Sequence, residues 1–143
     1  MGKSLFSPLA FGFIAGALAV LIFHQGSIGV LHLAGIIPQA PYSFRPTEPL
    51  HVPLVLSLAF WGGLWGILLV LCLERLPRAN HLWVAFLLAG IFPTLIAMLV
   101  VAPLKGDPAD WSDWHRLLLG FLINGVWGLG TALSYRALRL TAR

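Results

Sequence analysis

Residues 54–73 run LVLSLAFWGGLWGILLVLCL, twenty positions without a charged side chain, preceded by Pro53 and followed by Glu74-Arg75. Over such a stretch only a helix satisfies its own backbone in lipid. At about 1.5 Å rise per residue, twenty residues cover roughly 30 Å, the thickness of a bilayer's hydrocarbon core. Proline is tolerated at a helix start, where its missing N–H has no partner to lose. The stretch therefore predicts a membrane crossing at 54–73, and the rest of the chain follows the same pattern.

Three further apolar runs flank it. The first predicts a crossing at about 5–24, interrupted by His24-Gln25-Gly26-Ser27; residues 28–37 are apolar again but too short to span, which predicts a segment lying in the outer interface. Prolines at 38, 41, 46, 49 and 53 then make 38–53 an extended outer loop, since each removes an amide donor and disfavours helix before it. A third crossing is expected at about 82–104, kinked at Pro93, with Thr94 available to cover the carbonyl that the proline leaves free. A polar outer loop at 105–113 leads to a fourth crossing at about 115–135. The expected fold is an all-α integral membrane four-helix bundle forming a single domain over 1–143.

Composition agrees: 59% of residues are hydrophobic and 10% charged, against about 25% charged in an average soluble domain. Mean hydropathy is +0.89. The net charge of +4 does not point to nucleic acid, because the basic residues sit at the ends of apolar runs instead of in a patch. They act as topology signals. Lys3, Arg75, Arg78, Arg136, Arg139 and Arg143 fall on one side, and only Arg45, Lys105 and Arg116 on the other. The excess predicts an inner-membrane protein with both termini cytoplasmic. Trp83, Trp111, Trp114 and Tyr42 lie where an interfacial aromatic belt is expected.

Gly63-Leu64-Trp65-Gly66 and Gly125-Val126-Trp127-Gly128 resemble each other, and the same register pairs Leu71 with Leu133, Cys72 with Ser134 and Leu76 with Leu138. Ala15-Gly16 and Ala89-Gly90 match more weakly in the first and third runs. These pairs suggest two hairpins related by a parallel repeat, with an axis along the membrane normal. Small residues let helix backbones approach in lipid, where no hydrophobic drive holds helices together. Gly12 and Gly16, Gly62 and Gly66, and Gly120 and Gly128 with Asn124 between them are accordingly expected at packing faces. Trp65 and Trp127 are expected to fill the space beside the glycines, and Asn124 to hydrogen-bond between helices or line a cavity.

Chemistry is sparse. The lone Cys72 excludes intrachain dithiol exchange and thiolate clusters. No carboxylate lies inside an expected span, where one would mark an ion path. The serines lack a nucleophile-elbow setting, and no glycine-rich phosphate loop is present. The residues open to a ligand are His24, Gln25, His32, His115 and Asn124, with Arg45 beside the outer histidines. On one continuous helix His24 and His32 would point about 80° apart, so only a fold-back between them would aim both at one ion. His115 could approach His24 from the fourth helix. No diagnostic ligand spacing is present, so no cofactor is expected, and a haem or metal held through His24 and His115 stands as an alternative.

These features favour a non-enzymatic accessory or scaffold subunit, embedded in the bilayer and packed through its glycine faces against a partner membrane protein or itself as a homo-oligomer. The alternatives are a small channel or transporter for a neutral solute and a metal- or haem-binding membrane subunit.

Overall fold

The computed structural model describes residues 6–107, 110 and 112–142, with side chains from Pro8 onward. Lys3, Leu5, Trp111 and Arg143, which entered the expectations for span, belt and charge, lie outside the described residues. Four long helices are present among the described residues. Helix α1 comprises Phe6–Ala19, a π turn at Val20–His24 and Gln25–Leu33, and α2 is Leu54–Leu73. Helix α3 begins with the tight turn Arg78–Asn80 and continues through His81–Ile96, a π turn at Ala97–Val101 and Ala102–Leu104. Helix α4 is Trp114–Thr141.

All four are long and apolar enough to cross a membrane. Only 28% to 33% of each apolar window is buried inside the bundle. The outward remainder, which includes Leu56, Phe60, Leu68, Leu87, Ile91 and Phe92, is apolar as well. That much exposed apolar surface is unfavourable in water and suits helices whose solvent is hydrocarbon.

The structure departs from the expected boundaries in two places, at the ends of α1 and α4. Helix α1 does not break at His24-Gln25-Gly26-Ser27 but carries on to Leu33, so the first part of the segment expected to lie apart at 28–37 belongs to the same rod. Those four residues are polar, but none forbids a helix, and a one-residue bulge accommodates them. Helix α3 runs through Pro93 within the span expected at 82–104, and the Ala97 N–H bonds to both the Pro93 and Thr94 carbonyls just before the second π turn. Helix α4 extends past 135 to Thr141, where Arg136 bonds to the Arg78 carbonyl at the start of α3 and Arg139 lies 3.6 Å from Glu74 at the end of α2.

Between α1 and α2 the chain forms a small antiparallel pair, β1 at Pro46–Thr47 and β2 at Val52–Pro53, with Thr47 opposite Val52. This loop is also the N-terminal cap of α2: the Leu54 and Val55 N–H groups donate to the Arg45 and Ser43 carbonyls. Two of the four amides that a helix start leaves without partners are thereby satisfied.

The tightest packing lies within two pairs, α1 with α2 and α3 with α4. A methyl group at Gly16 would stand 2.8 Å from the Gly66 Cα and would also collide with the Gly62 carbonyl, so these helices touch backbone to backbone. The second pair uses matching positions: Gly63 faces the Phe13 ring as Gly125 faces Phe86, and Gly66 faces Gly12 and Gly16 as Gly128 faces Ala85 and Ala89. That correspondence aligns Gly12, Phe13 and Gly16 with Ala85, Phe86 and Ala89. It differs by one residue from the register that Ala15-Gly16 and Ala89-Gly90 suggest, because facing a glycine, not sharing one, defines the position.

The pairs join chiefly through α1 and α4, whereas α2 and α3 approach each other at few positions. At the α1–α4 seam the buried Trp127 indole N–H donates to the Gly16 carbonyl at 3.0 Å, and Gly130 receives the Phe23 ring. At the end of the bundle where α2 stops, the Tyr135 hydroxyl donates to Glu74 Oε1 at 2.9 Å and accepts from Arg139 Nη1 at 2.9 Å. Arg136 Nη2 donates to the Arg78 carbonyl nearby. The end of α4 is therefore tied to both α2 and α3.

Candidate functional site at the loop end of the bundle

The end opposite Glu74 and Tyr135 holds most of the polar residues singled out in the sequence, and the π turn of α1 organises it. In a regular helix the Gln25 N–H would donate to the Leu21 carbonyl. Here it donates to Ile22 and Val20, and the Leu21 carbonyl instead accepts the Tyr42 hydroxyl at 2.8 Å. The Gln25 side chain is almost completely buried, and its Oε1 accepts from the Tyr42 backbone N–H. Both bonds clamp the proline-rich loop onto α1. Tyr42 adopts φ 54°, a left-handed conformation that a bulky residue rarely takes without outside support. The two bonds from Tyr42 to α1 supply that support.

His24 is half-buried, with Nδ1 3.4 Å from Gln25 Nε2. Further along the same helix His32 lies half-buried with Nδ1 3.3 Å from the Ile37 carbonyl. Because α1 is continuous, the fold-back that would have aimed both rings at one ion is absent. His51 is exposed beside Glu48 at 3.6 Å, and His115 is exposed with its ring stacked on Trp114 at 3.6 Å. Among the described residues no three His, Cys, Asp or Glu side chains come together in a way that could hold a metal ion. Arg45 is exposed and bonds through its backbone: its N–H donates to Ser43 Oγ and its carbonyl accepts from the Leu54 N–H.

Asn124 is half-buried and donates through Nδ2 to Thr94 Oγ1 at 2.9 Å, joining α4 to α3. Gly120, one turn along α4, faces the Thr94 methyl group. Thr94 thus serves as the partner of Asn124, not as a cover for the carbonyl beside Pro93. Trp65 is half-buried at the edge of the core that contains Trp127.

A cleft of about 390 Å³ opens between α1 and α4. Its apolar walls include Ile28 of α1, Ile37 of the loop, and Leu119 and Ile123 of α4. Its polar mouth carries Gln39, Asp113, His115 and Arg116. Asp113 caps α4 by accepting the Arg116 N–H at 3.1 Å, and Arg116 Nη2 pairs with Asp107 Oδ2 at 2.9 Å. Beyond the mouth, the Ser112 hydroxyl and amide both donate to Asp110 and hold its carboxyl below the ordinary carboxylate range.

Sequence reasoning singled out His115 and Gly120 but missed the cleft they help line. Ile28 and Ile37 carry no chemical signal, and Gln39 lies in a loop whose path the spacing of prolines does not specify. The buried Gln25 was visible as a polar residue in an apolar run. Its partner Tyr42 was not, because the contact depends on a loop fold that leaves no periodic mark. No family model, curated protein or solved structure matches this chain.

Proposed function

We propose that this chain is a multi-pass inner-membrane protein, both termini cytoplasmic, which acts as a non-enzymatic accessory or scaffold subunit beside a partner membrane protein or a second copy. The observation that carries this reading is how the polar groups within the helices are used. Asn124 is bonded to Thr94, Trp127 to the Gly16 carbonyl and Gln25 to Tyr42, so each ties one segment of the chain to another. Structural glue of this kind suits a rigid body that presents surface better than a path that must solvate a passing solute.

The glycine faces, expected to recruit the partner, are occupied within the chain at Gly12, Gly16, Gly62, Gly66 and Gly128. The partner surface in this reading is therefore the outward apolar side of the bundle, which on α2 and α3 carries Phe60, Trp61, Leu87 and Ile91. Purification from native membranes in mild detergent should yield a stoichiometric membrane partner or a homo-oligomer. A partner-free monomer that conducts a neutral solute in liposomes, with flux lost on Asn124→Leu, would replace this reading with the transporter alternative. A stoichiometric metal or a haem spectrum in the purified protein would replace it with the cofactor alternative.

A further inference from the structure

The cleft between α1 and α4 changes in polarity along the length of α4. From Asp113 to Ile123 the α4 wall extends about 15 Å at 1.5 Å per residue, beginning among Asp113, His115 and Arg116 and ending against Leu119 and Ile123. Facing that wall are Ile28 of α1 and the loop residues Ile37 and Gln39. A ligand matching this shape has a polar head and an apolar tail. The head must satisfy charges of both signs, because the mouth holds a carboxylate and a guanidinium.

We propose that this cleft binds one phospholipid whose headgroup carries both a phosphate and a primary ammonium, with the phosphate at Arg116 and His115, the ammonium at Asp113, and an acyl chain against Ile28, Leu119 and Ile123. The Arg116–Asp107 pair does not block the phosphate: both side chains are about half exposed, at 48% and 62%. An ion pair so exposed to solvent holds its partners weakly, and a guanidinium has five N–H donors, enough to serve a carboxylate and a phosphate together. Asp113 uses Oδ1 to cap α4, and its other oxygen is the acceptor assigned to the ammonium. The loop residues Ile37 and Gln39 add lining that a smooth helix surface in bulk lipid would not supply. This assignment rests on bilayer placement of the helices and not on the accessory role.

The test uses the full chain, stripped of lipid in detergent and titrated separately with phosphatidylethanolamine, phosphatidylglycerol and glycerophosphoethanolamine, with native mass spectrometry counting what is retained. Wild type should retain one phosphatidylethanolamine in preference to phosphatidylglycerol, and should retain the chainless headgroup poorly. Arg116→Gln removes a charge-assisted bond and should weaken both lipids by about tenfold or more. Asp113→Asn keeps a good helix cap and should abolish the preference between the two lipids. Asp107→Asn frees the Arg116 guanidinium and should not weaken binding. Ile123→Trp fills the floor and should prevent retention at unchanged thermal stability; if that variant unfolds, Arg116→Gln at the exposed mouth decides alone. Equal retention of the two lipids by wild type would overturn the assignment. So would full retention by Arg116→Gln, or a headgroup that binds as tightly without its chains. Extraction of the protein into water without detergent would instead remove the bilayer placement itself.

Discussion

A single methyl group separates two glycines of α1 that behave in opposite ways. At Gly16 it would meet the backbone of α2 on both sides, whereas at Gly26 nothing stands within 4 Å. Backbone cannot yield as a flexible side chain does, so Gly16→Ala should lower stability by about 1–3 kcal/mol. Gly26→Ala should leave it unchanged, or raise it slightly through better helix propensity. Thermal unfolding of both variants in one detergent makes the comparison, and equal melting temperatures would contradict the contact. Trp127→Phe keeps most of the aromatic bulk but deletes the N–H that reaches the Gly16 carbonyl, and should cost about 1–3 kcal/mol. At this scale the sequence exposed the small-residue spacing of Gly12 with Gly16 and Gly62 with Gly66 but not which faces would meet. Trp65 and Trp127 share a local motif, yet only Trp127 is fully buried, and only it bonds across the two pairs. The difference lies in which seam closes, a long-range fact that four neighbouring residues do not contain.

The helices at 54–73 and 78–104 were legible because each is a long apolar run with a proline or a charge at its border. The end of α1 was not. A polar tetrad at His24-Gln25-Gly26-Ser27 resembles a break, but the Ser27 hydroxyl donates to the Phe23 carbonyl at 2.8 Å and Gln25 finds a partner in the loop, so the helix persists. Helix continuation there depends on a loop that arrives later in sequence. The π turn and the loop therefore stabilise each other. Tyr42→Phe removes the hydroxyl that covers the Leu21 carbonyl and should loosen both elements. Hydrogen exchange should quicken in residues 38–53 and at the π turn while α3 keeps its protection, and a rise spread evenly over the protein would argue against a local clamp.

Across the whole molecule, two similar helix pairs meet along one principal seam. The repeat was visible in Gly-x-Trp-Gly, but its register in α1 and α3 was not, since Phe13 and Phe86 correspond by the glycine each ring covers. A chain divided between Glu74 and Arg78 would separate the pairs without cutting a helix. The two parts, expressed together, should associate and co-purify, and Trp127→Ala should reduce the yield of the complex several-fold. Independent parts with no affinity for each other would mean that the connecting turn, not the α1–α4 seam, holds the pairs together.

The bond from Trp127 to Gly16 joins residues 111 positions apart. During synthesis, at about 5–20 residues per second, roughly 5 to 20 seconds separate the appearance of acceptor and donor. Through that interval the first hairpin has one flank uncovered, and α4 is the helix that closes it. Proteolytic surveillance should accordingly discriminate sharply between a nascent chain stalled before α4 and one that includes it.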